Sequence, residues 1–147
     1  MKADCHMHMV LDGLDWKASI ARHRGFPHMP TICHALALYR EQGYTYLRDG
    51  GDRWGVGAAA RAIAPEYGIT YRTPLAPLIL EGHYGGFIGL QFETLKEYAH
   101  LVVKQRTAGA DFVKIMISGL MDFDHYGVLT HSGFAAGDIR ELVHIAH

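Results

Sequence analysis

The residues of this chain that could do chemistry stand at its start and in its last third. Asp4-Cys-His-Met-His8 opens the sequence, and Lys114 lies inside the apolar run Asp111-Phe-Val-Lys-Ile-Met-Ile-Ser118. On an extended strand His6 and His8 point to one face, so both imidazoles can meet one metal ion. Neutral imidazole is the commonest protein ligand for zinc and related ions. Asp4 lies two residues earlier on that face, where a carboxylate can orient a ligand. The plainer alternative is a pair of surface histidines alternating on an edge strand. A lysine in so apolar a strand is unusual, because charged lysine is rarely buried without a partner. Desolvation lowers its pKa, and the neutral amine is a nucleophile. It can take up carbon dioxide as a carbamate, which turns a cation into an anionic oxygen ligand. The plainer alternative for Lys114 is an ion pair with an acid, its stem lying along apolar surface.

These residues need elements to position them. The alternation of Asp4, His6 and His8 with Cys5, Met7 and Met9 has the period of a strand over 2–10. Asp12-Gly13, Gly25, Pro27 and Pro30 mark a long loop after it. A helix is predicted over 31–42, with Gly43 where a C-terminal glycine belongs. A strand over 44–48, an alanine-rich helix over 56–67 bent by Pro65, and a strand over 69–74 follow. A glycine-rich loop then leads to a helix capped by Thr94 and running to about Thr107. The run 111–118 is apolar enough for a strand buried on both faces, and 135–147 is helical. Strict alternation of strand and helix predicts an α/β fold with a parallel sheet. Four such units are half of a TIM-type (β/α)8 barrel, whose usual size is about 250 residues. The expectation is therefore a single domain over 1–147 that supplies about four βα units of a longer barrel. The last helix meets no breaker or polar tail, in keeping with that expectation.

Composition narrows the partners. The 147 residues carry 14 Lys plus Arg against 15 Asp plus Glu, a formal net charge of -1. That leaves no basic excess for a phosphate backbone, so no nucleic-acid partner is expected. No run of about 18 apolar residues is present to span a membrane. The N-terminus lacks the apolar stretch of a secretory signal, and Cys5 and Cys33 make no disulfide framework, which points to the cytoplasm.

Taken together, the two constellations resemble the amidohydrolase superfamily of metal-dependent hydrolases, in particular barrels related to imidazolonepropionase and the zinc-dependent prolidases. Asp4-Cys-His-Met-His8 looks like the first-strand metal motif, and Tyr46-Leu-Arg-Asp-Gly-Gly51 like the second-strand element. Lys114-Ile-Met-Ile-Ser-Gly119 looks like the fourth-strand lysine segment. Asp138-Ile-Arg-Glu-Leu-Val-His-Ile-Ala-His147 looks like the helix before the fifth strand. The resemblance covers essentially the whole chain, in order and at suitable spacing.

The resemblance implies that His6 and His8 bind the more buried of two divalent ions, most simply zinc, and that carboxylated Lys114 bridges it to the second. It implies a metal-bound hydroxide that attacks the carbonyl of an amide, cyclic amide or related C–N bond in a small-molecule substrate. The family takes further ligands from its fifth, sixth and eighth strands, which this sequence does not contain. His144 and His147 are no substitute, because three-residue spacing sets them on one solvated face of the last helix.

Other residues weigh less. Arg48 and Asp49 are read as a structural ion pair beneath the site, and Gly50-Gly51 as a tight turn. Asp49 is also a candidate to support the metal site, and His83 and Tyr84 are candidates to face a substrate from the glycine-rich loop. Gly55-x-Gly57 lacks the rest of a phosphate-binding motif. Asp122, Asp124, His125 and Tyr126 lie in the loop after Lys114. Two alternatives stand beside the amidohydrolase. One is a metal-dependent phosphoesterase barrel, which also opens on His-x-His. The other is a non-catalytic half-barrel that pairs with a complementary chain or with a second copy of itself.

Overall fold

The computed structural model describes residues 2–122, 124–130 and 132–147. Strands β1 (Lys2–Met7), β2 (Tyr44–Asp49) and β3 (Thr70–Arg72) form one parallel sheet in the order β1-β2-β3. Strands β4 (Leu78–Leu80) and β5 (Leu90–Phe92) form a second, two-stranded parallel sheet. The helices are α1 (Trp16–His23), α2 (Met29–Glu41), α3 (Val56–Ile63), α4 (Leu95–Thr107) and α5 (Ala136–Ala146).

One face of the first sheet builds the main core. Ile32 and Leu36 of α2, Leu47 of β2, and Val56 and Ala60 of α3 are all fully excluded from solvent. Burying an aliphatic side chain of this size contributes about 1.5–3 kcal/mol, so this cluster is what fixes β2 between its helices. A second cluster holds Leu78, Phe92, Tyr98, Val102 and Leu142. There the Tyr98 hydroxyl donates to the Leu142 carbonyl at 3.1 Å and ties α4 to α5.

The expected four-unit barrel half is not what the chain forms. The described residues form two small parallel sheets and no closed barrel. Two local causes are visible. Leu75 has φ 65°, in the left-handed region, and sits between Pro74 and Pro77, so the third strand stops at Arg72. The run 111–118 does not become a strand: it makes a single parallel bridge, Ile115 to Leu78. In its place β4 and β5 arise inside the stretch read as a glycine-rich loop, joined by residues 81–89 without a helix.

Two smaller differences have equally local reasons. The loop expected after β1 contains α1, whose Asp15 side chain accepts the N–H groups of Lys17 and Ala18, each at 3.0 Å. Pro30 begins α2 rather than breaking the chain, as suits a residue with no N–H to leave unpaired. No helix among the described residues is long and apolar enough to cross a membrane.

Candidate functional site

His6 lies near the end of β1 and His8 just beyond it, and the strand register is irregular between Asp4 and Met7. The irregularity leaves His6 exposed and His8 half-buried, with ring centroids 5.6 Å apart. The Gly50 N–H donates to the Met7 carbonyl at 2.6 Å and draws the 50–51 turn against the pair. His8 Nδ1 lies 3.2 Å from the Gly51 carbonyl oxygen. A carbonyl can only accept, so Nδ1 carries the proton and the lone pair of His8 sits on Nε2. A Cβ on Gly50 would collide with the His8 ring, so only glycine leaves room for the imidazole there.

Lys114 reaches this pair from more than a hundred residues away. Its Nζ lies 2.7 Å from His6 Nε2. A hydrogen bond between two nitrogens needs one lone pair, so the imidazole and the amine are not both fully protonated. The charges agree with that. The Lys114 charge is the chief cause that holds His6 below its ordinary pKa, with burial second. Burial, then the Lys114 charge, takes His8 down to about 4. Burial lowers Lys114 itself, with Arg48 acting in the same direction and Asp49 opposing. No ion pair to an acid is found for Lys114 among the described residues.

Asp4 does not orient either imidazole. Its Oδ1 accepts the backbone N–H of His6 at 3.1 Å, and its Oδ2 accepts the Tyr39 hydroxyl at 3.2 Å. It shapes the strand backbone instead. Asp49 is only 2% exposed and braces the floor of the site. It accepts the Met9 N–H at 3.4 Å and the Thr73 hydroxyl at 3.0 Å, and burial raises its pKa to about 6. The expected Arg48–Asp49 ion pair is absent, because neighbours on a strand face opposite ways. Arg48 turns to the other face of the sheet, its guanidinium carbon 4.2 Å from the centre of the Phe112 ring.

The loop candidates are not drawn into this group. His83 stacks on Phe134 with centroids 5.6 Å apart, and Tyr84 packs against Phe87 at 6.0 Å. Asp122 accepts the N–H groups of Asp124 and His125, which closes its own turn. The N–H groups of Val56 and Gly57 at the start of α3 are taken by the Asp52 carboxylate, so the Gly55-x-Gly57 turn offers no free anion site. Tyr39, Thr73 and the Gly51 carbonyl support the site without having been anticipated. Only the Asp-Gly-Gly turn after β2 signalled one of them.

His6 and His8 are the residues that could hold a metal ion, with Lys114 beside them. The donor set is partial. No group of three or more His, Cys, Asp or Glu gathers among the described residues, and zinc usually takes four ligands. Two imidazoles, one with its tautomer fixed by a backbone carbonyl, nonetheless fit such an ion chemically.

No family model and no curated protein matches this sequence. A solved structure does: the crystal structure of an uncharacterized protein, at TM-score 0.62 and 19% identity. The match covers 98% of this chain and 39% of that one. The two share the fold over nearly all of this chain, which spans about two fifths of the longer protein.

Proposed function

We propose that the chain carries part of a metal-dependent hydrolase of the amidohydrolase type, one that cleaves an amide, cyclic amide or related C–N bond. The observation that carries the reading is the 2.7 Å approach of Lys114 Nζ to His6 Nε2, beside a second imidazole of fixed tautomer. The resemblance of the strand motifs to that superfamily supports it as well.

His6 and His8 hold the first cation, His8 through Nε2. Divalent ions, two zinc in this reading, supply Lewis acidity and lower the pKa of water. The chain's own residues prepare for that. The Gly51 carbonyl keeps the proton of His8 on Nδ1, away from the metal-facing nitrogen. Burial favours the neutral amine of Lys114, against the opposing charge of Asp49. That amine adds to carbon dioxide: a C–N bond forms, one C=O π pair moves onto oxygen, the amine gives up one proton to solvent, and an anionic carbamate results while His6 stays neutral for the cation. The carbamate offers oxygen donors where an ammonium would repel a cation. Two imidazoles and one lysine leave two ions short of ligands. Full activity therefore draws further donors from more polypeptide, in the same chain or a partner.

The test is zinc-dependent hydrolysis of N-acyl amino acids and dipeptides by the purified protein, with and without a chelator. The reading expects turnover that zinc restores after chelation and that His6→Ala abolishes. Protein that takes up no zinc and hydrolyses none of these compounds would favour a non-catalytic chain.

A further inference from the structure

Along the chain, α1 comes between the histidine pair and α2, and it is lightly held. Of the described helices it packs least against other elements, as a unit that opens locally would. Gly13, with φ 76°, precedes it and Gly25 follows it, so the chain can hinge on both sides. Its Ile20 side chain enters the main core, and its Trp16 ring meets Phe87 with centroids 5.1 Å apart. Ser19 and Arg22 turn back to the approaching loop. The Asp12 N–H donates to Ser19 Oγ at 3.3 Å, and the Arg22 guanidinium lies 3.7 Å from the Asp12 carboxylate. Neither contact ties α1 to a second element.

The polar tie is His23, the last residue of α1, which is only 1% exposed. Its Nδ1 accepts the N–H of His28, the residue that caps α2, at 3.0 Å. Nδ1 therefore holds a lone pair and Nε2 the proton. A second proton would set Nδ1–H against the His28 N–H, two donors 3.0 Å apart, and the bond would be lost. The groups that face His23 pull both ways. Burial is the largest influence and holds the ring neutral, below the ordinary histidine range. The Asp52 carboxylate, from the turn before α3, opposes burial; Arg22 of α1 and His28 act with it. Asp4, Asp12 and His34 are the other titratable groups lining the cavity that His23 borders.

We propose that His23 is an acid-operated latch: its protonation breaks the bond to His28 and releases α1 from the start of α2. Release gives the charged ring the water that its buried place denies it. Leu11, Asp12 and Gly13 lead into α1 and line a cavity of about 400 Å³ together with His6 and His8. Freeing α1 therefore frees one wall of the cavity at the histidine pair. The latch itself needs no reading of the chemistry at that pair.

The experiment is amide hydrogen exchange by mass spectrometry on the protein with a chelator present, at pH 7 and pH 5, corrected for intrinsic exchange rates. A ring that is neutral when docked and ordinary when released makes release easier by up to about tenfold for each pH unit below about 6.5. Wild type should therefore lose about tenfold protection in α1 over that range, while α4 changes by less than about twofold. His23→Asn keeps a side-chain oxygen that can accept the His28 N–H but takes no charge. Whatever its starting level, α1 protection in that variant should change by less than about twofold. Asp52 and the other histidines titrate in both proteins. If His23→Asn fails to fold, NMR of the wild-type His23 ring takes its place: the ring should gain its second proton in step with the loss of α1 protection. Unchanged α1 protection in wild type overturns the proposal, as does an equal loss in α1 and α4. The same loss in His23→Asn, or a loss out of step with the His23 ring, overturns it as well.

Discussion

Asp49 offers the most quantitative check on the geometry under the histidine pair. Its carboxyl is buried, and burial moves its pKa from the ordinary 3.8 to about 6. For an acid raised in the folded state, the native protein binds the proton more tightly than the unfolded chain. Stability from this group is therefore full below about pH 4 and is lost as pH rises through about 6. The loss amounts to about 3 kcal/mol at pH 8, from 1.36 kcal/mol for each tenfold change in proton affinity. Asp49→Asn cannot ionise. Its amide, like the protonated acid, brings one carbonyl acceptor to the Thr73 hydroxyl and the Met9 N–H, and the amide NH2 in place of the acid O–H costs about 1 kcal/mol. The variant should thus be less stable than wild type at pH 4 and more stable at pH 8. Urea unfolding of both metal-free proteins across that range measures the difference. His8 and the other histidines titrate in both proteins and largely cancel. A stability difference that stays flat from pH 4 to pH 8 would refute the placement of an ionisable, desolvated carboxyl beneath the site.

Further outcomes follow from particular contacts. Gly50→Ala drives a Cβ into the His8 ring, so the ring must swing away from the Gly51 carbonyl; stability should fall by about 1–3 kcal/mol and zinc affinity by more than about tenfold, read by unfolding and by zinc titration. Metal-free His8 should titrate near pH 4 by NMR, with its proton on Nδ1 above that, so its contribution to stability is present above about 6.5 and lost as pH falls toward 4. Thr94→Ala removes one half of a capping box in which Thr94 and Glu97 satisfy each other's backbone N–H groups; α4 and the protein should lose about 1 kcal/mol by urea unfolding.

Several features were legible in the residues alone, and the reasons differ. α4 was readable because Thr94 and Glu97 form a local cap and Gly109 ends the helical stretch, so no distant contact is needed to define it. The approach of His6, His8 and Lys114 was readable as chemistry, since those residue types share one use. The barrel was not a sound reading, because apolarity in the 111–118 run says that a segment is buried but not that it finds a strand to pair with. That pairing is decided by Leu75 and its flanking prolines, which end β3 early and let Leu78 take the single bridge to Ile115. α1 was hidden by Gly13 and Gly25 on either side, although Asp15 was a visible cap. β4 and β5 have only three residues each, too few for a period to show. The Arg48–Asp49 pair is the instructive error: alternation on a strand, used correctly for His6 and His8, already separates adjacent residues onto opposite faces.

On the hydrolase reading, Lys114 is a reactive amine beside His6 and not a structural cation. Protein incubated with ¹³C-labelled bicarbonate and zinc should show a carbamate carbon resonance by ¹³C NMR. The resonance should vanish in Lys114→Ala, weaken in His6→Ala and disappear on chelation. A wild-type protein with zinc bound and no such resonance, or a resonance unchanged in Lys114→Ala, would contradict the account.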